Sequence, residues 1–158
     1  MRRFASALFI ATGFIFGGAS ATLGQAADSM SGMKLTSAKS LTWTSPQVPG
    51  FDPGMRLAVV DGNPEAAGPY TLRLSFPDGY RFPPHWHPNT ENLTVLSGTF
   101  LLAIGRTVDD SKLQSYQPGD FLHIDGKHPH FGGARGETVI QLHGQGPFTI
   151  NLVQKATP

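Results

Sequence analysis

A chain of 158 residues with 19 Gly, 13 Pro and 39% hydrophobic residues has room for one compact, loop-rich domain and not for two. Its formal charge of +1 gives no electrostatic reason to expect nucleic acid or an anionic membrane as a partner. The absence of cysteine removes disulfides, thiol nucleophiles and thiolate ligands together, so any bound metal must be held by nitrogen and oxygen.

Residues 1–26 read as an export signal. Arg2 and Arg3 form a charged start, "ALFIATGFIF" is an apolar run, and small residues at Ala19-Ser20-Ala21 and Gly24-Gln25-Ala26 set cleavage after Ala21 or Ala26. The run is short for a bilayer and is interrupted by glycine at Gly13, Gly17 and Gly18, which argues against a retained membrane anchor. The expected product is exported, periplasmic or secreted. Removing Arg2 and Arg3 from the twelve basic residues leaves ten against eleven acidic, a formal charge of −1.

Residues 27–54 read as a flexible arm. "DSMSGMKLTSAKS" is small and polar, and "SPQVPGFDPG" holds too much Pro and Gly for regular structure. Such an arm is expected to wrap the domain or a neighbouring subunit.

From Met55 to Val153 the hydrophobic pattern has period two. "YTLRLSF" places Tyr70, Leu72, Leu74 and Phe76 on one face and Thr71, Arg73 and Ser75 on the other, which is a half-buried strand. Similar runs at "MRLAVV", "NLTVLSG", "TFLLAIG", "DFLHI", "TVIQLHG" and "FTINLV" are separated by turn-rich pieces, including "SG" and "RGE". No stretch sustains helical periodicity for three turns. Residues 55–153 are therefore expected to form an all-β domain, a sandwich or a small barrel.

"FPPHWHPNTENL", residues 82 to 93, holds the densest chemistry. In an extended segment residues i and i+2 point to the same side, so His85 and His87 can present both imidazoles to one point. Pro83, Pro84 and Pro88 stiffen the pair, and rigid ligands lose less entropy when an ion arrives. Glu91, after a short turn, can return a carboxylate to the same point.

These residues carry a resemblance. The run "GYRFPPHWHPNTENLTVLSG" is similar to the first cupin motif at Gly79, His85, His87, Glu91 and Gly98. Downstream, "GDFLHIDGKHPHFGGA" resembles the second motif through Gly119 and His130, while Asp125, Lys127 and Ala134 stand where proline, glycine and asparagine are usual. The resemblance implies a single antiparallel jelly-roll β-barrel in which His85, His87, Glu91 and His130 surround one divalent metal. His128, two residues before His130, is the reserve ligand. Independently of the family, three imidazoles and a carboxylate suit Fe, Mn, Ni, Co, Cu or Zn better than Mg or Ca.

Around the metal, Val139, Gln141 and His143 share a face, and if that face is interior, Gln141 and His143 are candidates for contacts to the ligands or to substrate. Tyr80, Arg81 and Phe82 are candidates for the pocket mouth, with Arg81 placed to meet an anionic substrate. Phe76, Leu93, Val95, Phe100 and Leu102 are the expected apolar lining, suited to a small organic ligand. Trp86 should point away from the site, and His123 reads as an exposed or hydrogen-bonded strand residue.

The resemblance further implies a metal-dependent enzyme, dioxygenase-like oxidation first and isomerase or lyase chemistry after it, and homodimers joined through sheets and arms. The alternatives are a metal or small-molecule binding or sensor protein and a structural cupin. The sequence holds no motif for a serine nucleophile or a phosphate-binding loop.

Overall fold

The computed structural model describes residues 32–154; the expected export signal, residues 1–26, lies outside them. The described residues from Leu35 onward form one compact unit. Among the described residues there are eight strands and two short 3-10 turns, Ala38–Ser40 and Asp110–Lys112. The strands are β1 (Arg56–Gly62), β2 (Gly68–Phe76), β3 (Arg81–Trp86), β4 (Glu91–Ile104), β5 (Gln114–Tyr116), β6 (Phe121–Ile124), β7 (His130–Gly146) and β8 (Asn151–Leu152). All pairings are antiparallel.

Two long strands organise the rest. The first half of β4 and the second half of β7 lie side by side between β6 and β2, with β1 outside β2. The other halves of β4 and β7 lie between β5 and β3, with β8 outside β3. The result is two five-stranded layers that share β4 and β7, a jelly roll whose inner faces enclose one core.

The "SG" and "RGE" pieces expected as turns are instead bends within continuous strands. The register of β4 against β7 shifts between Val95 and Ser97 and again between Ser97 and Thr99, where Gly98 holds a φ of +74°. A bulge there re-aims the strand and changes which parity faces in: Glu91, Leu93 and Val95 are buried before it, Phe100 and Leu102 after it. Leu72, Leu74 and Phe76 of β2 and Ile140 and Leu142 of β7 join them in one core cluster. Each such side chain, fully buried, contributes about 1.5–3 kcal/mol, so the alternation read in the sequence is the main source of stability.

Of the segment expected as a flexible arm, the described residues 32–54 are irregular apart from the turn at Ala38–Ser40, as their Pro and Gly content dictates, but part of them is docked. Thr44 and Leu57 exchange two backbone hydrogen bonds of 2.8 and 2.9 Å, and the Arg81 N–H donates to the Asp52 carboxylate at 3.0 Å. Val48 and Phe51 bury apolar surface against the core, which is what holds the strap down.

Gly98 and Gly79 share the left-handed backbone, with φ of +74° and +75°, but a Cβ at Gly98 would collide with the Glu137 carbonyl and Thr138, whereas one at Gly79 would meet nothing within 4 Å. Gly79→Ala is expected to cost about 1–2 kcal/mol from φ alone, and Gly98→Ala at least about 2 kcal/mol more. Urea unfolding checks this, and a smaller loss at Gly98 than at Gly79 contradicts it.

Candidate metal centre

The prolines of "FPPHWH" shape the site directly. β3 pairs with β7 at Phe82↔Gly132 and next at His85↔His130, so three steps on β3 match two on β7. Pro83 and Pro84 have no N–H to give the ladder, and the extra residue is accommodated there as a bulge. Phe82, His85 and His87 consequently all point inward and are buried.

His85, His87 and His130 are brought together so that one ring nitrogen from each lies within 4.8 Å of the others. In all three the second nitrogen, Nδ1, donates to a backbone carbonyl: Pro83 at 2.9 Å, Thr149 at 2.8 Å and His128 at 3.0 Å. A carbonyl only accepts, so each Nδ1 carries the ring proton and each Nε2 is left as a bare lone pair. The Glu91 carboxylate closes the group, its Oε2 3.7 Å from His87 Nε2 and 3.5 Å from His130 Nε2. His87 Nε2 is buried with no hydrogen-bond partner, a cost that a bound cation relieves. The donor set fits a divalent transition metal, and the outer hydrogen bonds are those that orient metal-ligating imidazoles.

Electrostatics agree. Burial, reinforced by neighbouring imidazoles, pushes His85 down to about 3 and His87 down to about 4, and burial lowers His130 as well. All three are neutral at pH 7, the state in which an imidazole can ligate a metal. Burial alone raises Glu91 to about 8, so without a cation its carboxyl keeps its proton.

The cluster opens onto a cavity of about 290 Å³ lined by eighteen residues, of which only His85, His87, Glu91 and His130 are polar. Phe76, Leu93, Phe100 and Leu102 line it as expected; Val95 is fully buried in the core instead. Pro46, Val48 and Phe51 from the strap and Phe148 and Ile150 after β7 complete the wall. The Phe51 ring lies 5.0 Å from that of His85, and Phe148 stacks on His87 at 4.7 Å. Sequence reasoning missed Phe51 because its segment is irregular and carries no periodicity, and missed Phe148 and the Thr149 carbonyl because "FTINLV" read as one alternating strand, of which only Asn151–Leu152 forms. The one available signal was an aromatic residue within each Gly- and Pro-rich piece.

Several further expectations need correction. Gln141 and His143 do share a face with Val139, but it is the outer one: Gln141 accepts from Arg73 Nε at 3.2 Å, and His143 is exposed beside Phe121. The interior parity of β7 belongs to Thr138, Ile140 and Leu142. Arg81 also points outward and pairs with Asp110 at 3.4 Å, because the bulge at Pro83–Pro84 puts Phe82 inward in its place. His128 is exposed and serves the centre only through its carbonyl. Tyr80, a candidate for the pocket mouth, is instead buried in the core and absent from the lining, whereas His123 is exposed and hydrogen-bonded to Asn92 and Trp86 is half-buried outside the cavity lining, both as expected. Lys127 occupies, at a φ of +65°, the left-handed position where glycine is usual in the motif. Its N–H donates to the His87 carbonyl at 2.7 Å, tying that loop to the ligand segment.

Comparison with known proteins agrees with this geometry. Residues 72–143 match the model of the cupin domain, and with the fold this places the chain in the cupin superfamily. Among solved structures it is similar to the polyketide cyclase RemF from Streptomyces resistomycificus, at 17% identity and a TM-score of 0.64, over 78% of this chain and 87% of that one. A cupin 2 conserved barrel domain protein from Rhodopseudomonas palustris aligns at 13% identity and 0.59, over 74% and 79%. A candidate acetylacetone dioxygenase from Methylibium petroleiphilum PM1 aligns at 15% and 0.59, over 78% and 81%. At these identities the likeness is one of fold. Among curated proteins none matches the sequence.

At pH 7 a divalent ion should displace the Glu91 proton, about one per ion bound, since the imidazoles are already neutral. Affinity is expected to rise about tenfold per pH unit from roughly pH 5 to pH 8 and then level, because the proton competing with the ion is lost as pH passes the Glu91 pKa. Calorimetry in buffers of different ionisation enthalpy measures the release, which Glu91→Gln should abolish. Equal release in wild type and variant contradicts the assignment.

Proposed function

We propose that the protein is a metal-dependent enzyme that binds one divalent transition metal, Fe, Mn, Ni, Co, Cu or Zn, through His85, His87, Glu91 and His130 and converts a small organic molecule, with dioxygenase-like oxidation as the leading reaction. The observation that carries this reading is that the donors face a cavity and are not sealed by protein. A purely structural metal site closes its shell with protein ligands, whereas a catalytic one keeps a side open for water or substrate. Here that side is a 290 Å³ apolar chamber.

When bound, such a metal supplies a Lewis acid and, if redox-active, a partner for O₂. The chain's own residues do the rest. The carbonyls of Pro83, Thr149 and His128 hold each imidazole in one tautomer and orientation. Glu91 lowers the net charge of the loaded site, and the phenylalanines keep the chamber dry, which strengthens every electrostatic contact in it. Two proteins of similar fold, a polyketide cyclase and a candidate acetylacetone dioxygenase, support enzymatic use of a barrel like this one.

The test is protein reconstituted separately with Fe(II), Mn(II), Ni(II) and Cu(II), assayed for oxygen uptake and product mass against small aromatic and aliphatic substrates. Oxygen uptake that depends on both metal and substrate, and that is lost in His130→Ala, is expected. Reversible ligand uptake with every metal and no product with any substrate overturns the enzymatic reading in favour of a binding protein.

A further inference from the structure

The cavity wall carries information about substrate class that the metal donors do not. All fourteen lining residues other than the donors are apolar. None offers a cation, an amide or a hydroxyl. A charged or hydroxyl-bearing group placed against that wall would lose its water and gain no hydrogen bond, which is strongly unfavourable. One side is an aromatic layer: the rings of Phe82 and Phe100 are 5.9 Å apart, with Phe76 6.0 Å from Phe100 and Phe51 6.1 Å from Phe82, at interplanar angles of 20 to 27°. Leu74, Leu93 and Ile140 add aliphatic surface. The volume sits at the small end of ligand pockets, below what drug-sized molecules need.

Resting on the reading of this chamber as the substrate site, we propose that it takes a compact hydrophobic molecule whose only polar or ionisable function is at one end. That end faces the histidine cluster, and the hydrocarbon body lies against the phenylalanine layer. Sugars, amino acids and diacids are excluded, because each carries a second polar group that must be buried without a partner. Specificity is set by desolvation, since no lining residue beyond the donors can make a polar contact with the body of the substrate.

The test uses cobalt-loaded protein, with cobalt content measured first and binding followed by calorimetry and by the visible absorption of the ion. The probes are 4-methylphenol, 4-hydroxybenzoate and glucose; the first two share a head and a ring and differ in a methyl against a carboxylate at the far end. 4-Methylphenol should bind and shift the cobalt spectrum, 4-hydroxybenzoate should bind about 100-fold more weakly, and glucose should leave the spectrum unchanged. Val48→Trp and Ile150→Trp, each at a half-buried lining position outside the strands, should weaken 4-methylphenol binding at unchanged cobalt content. Cobalt uptake with 4-hydroxybenzoate or glucose bound as tightly as 4-methylphenol, or with no probe bound, overturns the inference and leaves the metal reading intact. Binding of 4-methylphenol, weakened by both tryptophan variants, to protein that takes up no cobalt supports the apolar chamber and sinks the metalloenzyme reading.

Discussion

Three backbone carbonyls, those of Pro83, His128 and Thr149, decide which nitrogen of each buried histidine faces the chamber. A free imidazole can carry its ring proton on either nitrogen, and a cluster of three would have several arrangements open to it. Fixing every Nδ1 as a donor leaves one, with three Nε2 lone pairs directed at a common point. Two of the carbonyls lie two residues before the histidine they hold, so the extended backbone itself supplies the partner. The third comes from the segment after β7 and ties the chain's last part to the centre.

That arrangement depends on where the strands are broken. β4 and β7 bend near Gly98 and Arg135–Glu137 and pass from one layer into the other, so each contributes a donor as well as core. Glu91 opens β4 and His130 opens β7. The bulge at Pro83–Pro84 then sets the parity of β3 so that both of its histidines, with Phe82, face inward. Burial follows, and with it the loss of charge on the imidazoles and the retained proton on Glu91. The site is thus poor at holding protons on nitrogen and well placed to exchange the carboxyl proton for a cation.

Most of the barrel and the donor set were legible in the sequence, for physical reasons that also mark where legibility stopped. Alternation with period two identifies β2, the buried side chains of β4 and the strand character of β7, because a half-buried strand must alternate. Strand parity pairs His85 with His87 and lets Glu91 return to the same point, whereas Gly98 and His130 joined the reading only through the resemblance to the cupin motifs. Parity fails across a bulge: Arg81 sits before one and points outward where Phe82 points in. It also gives no absolute sense of inside, so Gln141 and His143 were grouped correctly with Val139 while the side of the sheet they face stayed open. The strap residues Val48 and Phe51 were beyond reach, since their positions are fixed by docking onto a finished barrel and by no local rule, while Phe148 was read within a strand, "FTINLV", of which only Asn151–Leu152 forms.

The central claim is that the three histidines and Glu91 hold one metal ion. Elemental analysis of protein purified without a metal-affinity tag, then after exposure to an equimolar mixture of Fe, Mn, Ni, Co, Cu and Zn salts, tests it most directly. The account predicts about one equivalent of a single or dominant transition metal per chain, lost in His85→Ala and in His130→Ala while both variants keep their β-sheet signature. No metal before or after exposure, or an equal content in the folded variants, would contradict it.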